Sequence, residues 1–126
     1  MRDKGFIDTN ILVYSVLDEE DEEIKHKKAI EFLDKMSDVE IIVSTQVLNE
    51  FYAALVKHNI EEHVIQDRIN TIIENSTVAL LEISTIKNSW GIREKYQFSL
   101  WDSLIIASAI ENGCSTLYSE DMQHNQ

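Results

Sequence analysis

The chain has 126 residues and a mass of 14.6 kDa, which suits one domain with its own core and is too short to divide into two. Its net charge of −12 excludes a basic protein that binds phosphate backbones nonspecifically. A single cysteine, Cys114, excludes an intrachain disulfide framework and favours a reducing cytoplasm. We expect neither a signal peptide nor a membrane-spanning segment, because every apolar run is short or interrupted by polar residues.

Hydrophobic periodicity predicts strands and helices that alternate along the chain. In order, the elements are a strand at residues 5–7, helices at 9–17 and 22–36, a strand at 40–43, helices at 45–57 and 61–74, a strand at 78–83, helices at 85–96 and 100–112, and a strand at 115–118. The strand segments are continuously apolar, as in sheets that are covered on both faces. The predicted fold is therefore a three-layer α/β/α sandwich around a mostly parallel sheet of four or five strands.

Acidic residues follow two of these strands. Asp8 comes directly after the first strand and Asp121 comes shortly after the fourth. In parallel sheets, ligands bind at the carboxyl ends of the strands, where strand order reverses. Each acid also has a purely structural explanation, since Asp8 suits a helix N-cap and Asp121 suits a turn. Asn10, two residues after Asp8, adds a second oxygen donor to the same turn.

Two further acids lie on predicted helices. Asp102 closes a capping-box pattern that begins at Ser99, but it also heads a helix that is almost entirely apolar or small, which places the acid near the core. Glu50 lies at the margin of an apolar helix face, and by itself it is explained as a solvated residue. The four acids together can converge on one crevice.

Carboxylates that meet in one crevice raise one another's pKa unless a cation offsets their charge. Hard divalent cations prefer such oxygen ligands, and a set without His or Cys favours Mg²⁺ or Mn²⁺ over Zn²⁺. Such a site can activate water and stabilise a phosphoryl displacement. The acids therefore predict a metal-dependent phosphotransfer or hydrolysis site.

Four segments in this order resemble the PIN-domain family, and among its members the VapC-type toxins of bacterial and archaeal toxin–antitoxin pairs. They are FIDTNILVY at 6–14, VLNEF at 47–51, SLWDSLI at 99–105 and LYSEDM at 117–122. The resemblance implies an Mg²⁺- or Mn²⁺-dependent endoribonuclease. In it Asp8, Asp102 and Asp121 would hold the ions, and Glu50 would be a further ligand or would orient the attacking water. Thr9 and Ser119 match the polar residues beside the first and last acids.

The resemblance also implies partners. These are an RNA substrate, a cognate antitoxin that inserts an Arg or Lys among the carboxylates, and a second copy of the chain in a homodimer. Arg93 and Lys95 could hold RNA phosphates, although ordinary solvated charges explain them at least as well. Trp90 is expected to face inward, and Trp101, which could stack on a base, is assigned to the core.

Family members normally continue past the last acid with another short strand. This sequence ends at Gln126, so we expect a single PIN-like domain over residues 1–126 that lacks that strand.

Three other classes of protein share some of these features. A catalytically inactive PIN-fold module for protein interaction is the main alternative. A phosphoacceptor receiver domain is disfavoured, because one Asp rather than an acidic pair follows the first strand and no Lys follows the fourth. A haloacid-dehalogenase phosphatase is disfavoured because the segment Asp8-Thr9-Asn10 lacks a second Asp.

Overall fold

The computed structural model describes residues 3–17 and 23–119. Within them the strands are β1 (Asp3–Ile7), β2 (Val39–Ser44), β3 (Thr77–Ala79) and β4 (Thr116–Tyr118). The helices are α1 (Thr9–Val16), α2 (Glu23–Asp34), α3 (Thr45–Lys57), α4 (Glu62–Glu74), α5 (Ile83–Tyr96) and α6 (Leu100–Glu111). The four strands form one parallel sheet, so the predicted α/β fold is confirmed. Across the described residues, no helix has the length and apolar character needed to cross a membrane.

The core lies where the apolar strand runs meet the apolar helix faces. Phe6, Ile7 and Val43 are completely buried, as expected for strands covered on both sides. In α3, the buried residues Val47, Phe51 and Leu55 recur every four positions, and this spacing places them on one face of the helix. These contacts hold α3 against the sheet.

Helix α6 is buried around almost its whole circumference. Residues 103–109 are all buried, because the sequence there contains only aliphatic residues, alanine and serine. Such a helix has no polar face to turn toward solvent and must lie between other elements. Its burial brings the first turn of α6, which carries Asp102, close to the sheet.

The strand order places the ends of β1 and β4 side by side. The spatial order is β3-β2-β1-β4, so the chain moves outward on one side of β1 and returns on the other. Ile7 pairs with Tyr118, and the Asp8 N–H donates to the Tyr118 carbonyl at 3.0 Å. The crevice at this reversal is where a ligand is expected in an open parallel sheet.

The third strand is shorter than predicted. It ends at Ala79, and α5 begins at Ile83. The apolar residues that extended the prediction, Leu80 and Ile83, are 68% and 72% exposed. The Leu81 N–H donates to the Thr45 side chain at 3.2 Å rather than to a neighbouring strand. The apolar sequence therefore extends beyond the last residue that pairs in the sheet, and the predicted strand was too long.

The assignment of Trp90 and Trp101 to the core is wrong, since their side chains are 53% and 62% exposed. Helix α5 instead buries Thr85 and Ser89 against its neighbours. The Thr85 hydroxyl donates to the Glu111 carboxylate of α6 at 2.6 Å. Small hydrogen-bonded residues allow the two helices to approach closely, and this leaves the large ring of Trp90 outside.

Candidate active site

Asp8 is a buried carboxylate fixed by two donors. It is the N-cap of α1, and its Oδ1 accepts the Thr9 N–H at 2.6 Å. Its Oδ2 accepts the Ser119 hydroxyl at 2.9 Å, and only 6% of the residue is exposed. The capping explanation of Asp8 is therefore correct, and it coexists with a position at the strand-order reversal. One oxygen of Asp8 therefore caps α1, and the other accepts the hydrogen bond from Ser119.

Glu50 is oriented from both sides rather than solvated. The Thr9 hydroxyl donates to Glu50 Oε2 at 3.0 Å, and Gln46 Nε2 donates to Glu50 Oε1 at 2.9 Å. Thr9 thus joins α1 to α3, 41 residues apart in sequence, while its own N–H binds Asp8. The expectation that Glu50 is a solvated residue is wrong, because both of its carboxylate oxygens accept hydrogen bonds.

Gln46 is a site residue that the sequence did not reveal. It is 8% exposed, and its Nε2 also lies 3.4 Å from the Trp101 carbonyl. Both partners are acceptors, so the amide nitrogen must face them and the amide oxygen must point away. That oxygen is buried without a hydrogen-bond partner among the described residues. The one available signal was a polar residue one helical turn before Glu50 on the same face.

Asp102 lies partly exposed in the first turn of α6. The Asp102 N–H donates to the Ser99 hydroxyl at 3.1 Å, which confirms Ser99 as the cap. The reciprocal half of the capping box is not formed, because none of the hydrogen bonds within the described residues ends on the Asp102 carboxylate. The Asp102 carboxylate therefore takes no part in capping its own helix.

The three acids interact electrostatically. The pKa of Asp8 is raised above its ordinary value, chiefly because burial disfavours the charged form, and further because the charges of Glu50 and Asp102 are nearby. The hydrogen bonds from Thr9 and Ser119 lower the pKa of Asp8 but do not outweigh burial. Such a crevice is an electrostatically unfavourable cluster that a cation would relieve.

The donor set fits a hard divalent cation in its chemistry, because its available ligands are carboxylate, hydroxyl and amide oxygens. Among the described residues, no three Asp, Glu, His or Cys side chains are arranged so that they could hold a metal ion by themselves. Asp121, the fourth predicted acid, lies outside the described residues. A complete coordination sphere therefore needs further oxygens, from water, from a substrate phosphate or from Asp121.

The other predicted residues differ in their surroundings. Asn10 is partly buried as the second residue of α1. Arg93 and Lys95 are exposed in the last turn of α5, and Lys95 Nζ lies 5.2 Å from the centroid of the Tyr96 ring. Cys114 is buried in the core as predicted, and burial raises the pKa of its thiol to about 11, which disfavours the nucleophilic thiolate.

A parallel sheet with acids clustered at its strand-order reversal defines an α/β protein with a polar, acid-lined crevice. The PIN domain family model matches residues 5–126, and this chain belongs to that family. A comparison with curated protein sequences gave no significant match.

Three solved structures of similar fold come from a toxin and from toxin–antitoxin complexes. VapC20 of Mycobacterium tuberculosis, a toxin that cleaves the sarcin–ricin loop, has a TM-score of 0.76 at 13% identity, with 97% of this chain and 99% of that chain covered. A toxin–antitoxin complex from Klebsiella pneumoniae has a TM-score of 0.69 at 17% identity over 91% of this chain and 84% of that one. VapBC2 of Rickettsia felis, bound to a DNA fragment from its promoter, has a TM-score of 0.65 at 19% identity over 92% and 86%. At these identities the likeness concerns the fold, and the predicted resemblance to PIN domains and VapC structures is confirmed.

Proposed function

We propose that this protein is an Mg²⁺- or Mn²⁺-dependent endoribonuclease and the toxin of a cytoplasmic toxin–antitoxin pair. The observation that carries the proposal is the buried Asp8 carboxylate, whose raised pKa reflects burial and the neighbouring charges of Glu50 and Asp102. A fold maintains such a cluster at a cost in stability, which is expected where the cluster performs a function. Membership of the PIN domain family and the likeness to toxin structures support the same reading.

In this proposal Asp8, Asp102 and Asp121 would hold one or two ions, and Glu50 would be a further ligand or would orient the attacking water. When bound, the divalent cation offsets the carboxylate charge, polarises the phosphate and lowers the pKa of water. The Ser119 hydroxyl holds Asp8 Oδ2 in place by a hydrogen bond of 2.9 Å. Asn10, two residues after Asp8, is a supporting polar residue.

Thr9 and Gln46 keep Glu50 in one orientation by donating to its two oxygens. The water gives up a proton to solvent as its oxygen forms a bond to phosphorus, the bond from phosphorus to one ribose oxygen breaks, and that ribose oxygen takes up a proton from solvent. Where Glu50 orients the water, its two hydrogen bonds act on the rate rather than on substrate affinity.

We further propose a cognate antitoxin whose Arg or Lys enters the acidic crevice and pairs with its carboxylates. The structures from Klebsiella pneumoniae and Rickettsia felis, in which a chain of similar fold is part of a toxin–antitoxin complex, support such a partner. A homodimer is proposed on the resemblance alone.

The test is cleavage of an RNA mixture with Mg²⁺ or Mn²⁺, with and without a chelator. We expect wild type to cleave only with metal and Asp8→Asn and Asp102→Asn to lose activity. Asp67→Asn is the matched control, because Asp67 is an exposed acid on α4. Equal cleavage by wild type and Asp8→Asn would identify a contaminant and reject the proposal. No metal binding in calorimetry, together with a tight protein partner, would favour an inactive interaction module.

A further inference from the structure

Trp101 is largely exposed, although most of its helix is buried. The ring belongs to the first turn of an otherwise buried helix, yet 62% of the residue is exposed. Large aromatic side chains bury much apolar area when a partner packs against them. The exposed ring of Trp101 is therefore available for contact with a ligand.

The backbone of Trp101 is tied to the acid site. Gln46 Nε2 donates to Glu50 Oε1 at 2.9 Å and lies 3.4 Å from the Trp101 carbonyl. The next residue along the chain is Asp102. One buried amide therefore joins Glu50 to the backbone of Trp101, the residue that precedes Asp102.

The charge of the protein favours an aromatic contact to the substrate. At a net charge of −12, the protein repels phosphate backbones, and the cluster of Asp8, Glu50 and Asp102 adds to this locally. Apart from a bound cation, contacts that do not depend on charge therefore suit a substrate at this crevice. Stacking of a base on an aromatic ring is such a contact, and it tolerates any base because every base has a π face.

We propose that Trp101 stacks on an unpaired RNA base next to the phosphate at the acid site. The proposal rests on the proposed function. Bases inside a duplex are already stacked, so the substrate segment is single-stranded or looped. A protein partner seated on the ring is the competing occupant, and the tests below separate the two.

The first test uses tryptophan fluorescence. Trp90, on α5, is exposed to a similar extent, so Trp90→Phe and Trp101→Phe leave one reporter each. Both changes are made in an Asp8→Asn background, to prevent cleavage. A single-stranded oligoribonucleotide of randomised sequence, about ten nucleotides long, is within the length that one binding domain covers. We expect it to quench Trp101 and to leave Trp90 unchanged.

The second test uses steady-state cleavage of an RNA that wild type cuts. Trp101→Ala is expected to raise KM on the order of 5- to 150-fold, the range for one base stacked on an aromatic ring, with little change in kcat. Trp101→Phe should retain most of the affinity, and Trp90→Ala is the matched control. An RNA with an abasic site at the stacked position should raise the KM of wild type and cause no further rise with Trp101→Ala. Thermal melting checks that the variants are folded.

Equal quenching of both reporters, or an unchanged KM for Trp101→Ala, would overturn the proposal. An unchanged KM together with a lost dimer in sedimentation would assign Trp101 to a protein interface. If no RNA is cleaved but Trp101 is still quenched selectively, the proposed enzyme fails while the stacking contact stands.

Discussion

Replacing Asp8 with asparagine removes one negative charge from the crevice while keeping a side chain of the same shape. The asparagine oxygen can still accept the Thr9 N–H, and its amide nitrogen can donate to the Ser119 hydroxyl, so both hydrogen bonds of the wild type have counterparts. What changes is the charge of a residue that is 6% exposed. The variant therefore separates the electrostatic cost of Asp8 from its role as the cap of α1.

The expected effect without metal is a gain in stability. Two hydrogen bonds lose their charge-assisted part, about 1 kcal/mol each. Burial of an uncompensated charge costs several kcal/mol, and the raised pKa of Asp8 indicates that this cost is the larger. We expect a net gain of about 1–2 kcal/mol at pH 8, or about 3–8 °C in Tm for a domain of this size.

The gain should depend on pH in one direction. Because the pKa of Asp8 is higher in the folded than in the unfolded state, the folded wild type retains a proton that the unfolded chain has released. Wild type therefore loses stability as pH rises from about the ordinary Asp pKa of 3.9 through the raised value. The advantage of Asp8→Asn should be absent below this window and complete above it.

The assay is thermal melting of wild type, Asp8→Asn and the control Asp67→Asn between pH 4 and pH 8 in a chelator, then with increasing Mn²⁺. A ligand at 100 times its Kd adds about 2.7 kcal/mol, so Mn²⁺ should raise wild type above Asp8→Asn and reverse their order. If Asp8→Asn melts below wild type at pH 8 in the chelator, the reasoning about burial is refuted. If Mn²⁺ stabilises both equally, Asp8 is not a ligand.

Three further substitutions test the surroundings of the site. Gln46→Leu removes the donor to Glu50, and we expect kcat to fall about 10- to 100-fold with KM changed much less, measured by steady-state cleavage, since a misplaced catalytic group affects the rate. Unchanged kcat would show that Thr9 alone orients Glu50. Phe51→Ala leaves a cavity at a completely buried position and should lower the free energy of unfolding by about 3–5 kcal/mol in urea; a loss below 1 kcal/mol would show that the core collapses around it. Gly5→Ala places a Cβ 2.6 Å from the Tyr118 ring, so it should cost about 1–3 kcal/mol in the same assay, whereas no loss would mean that β4 shifts freely.

Much of the fold was predictable because its signals are local. The continuous apolar runs of β1 and β2 and the four-residue spacing of Val47, Phe51 and Leu55 in α3 depend only on neighbouring residues. Asp8 was identified for the same reason, because it directly follows the buried strand β1 and this position is visible from the neighbouring residues alone. The roles of the acids in catalysis remain predictions, and Asp121 lies outside the described residues.

The errors came from reading apolar letters as buried residues. Leu80 and Ile83 were included in the predicted third strand, and Trp90 and Trp101 were assigned to the core. All four residues are more than half exposed. Whether an apolar side chain is buried depends on what packs against it, and that partner can be far away in sequence.

The sequence by itself determined the alternation of strands and helices, the parallel sheet and the identity of the acids, because propensity, periodicity and capping act over a few residues. Only the tertiary structure decided how the acids are held. Ser119 reaches Asp8 across 111 residues and Thr9 reaches Glu50 across 41, through contacts that exist only after β4 has paired with β1 and α3 has packed beside α1. Gln46 and the exposed Trp101 belong to this second group, because their partners are set by the packing of α6 against the sheet and not by the residues beside them.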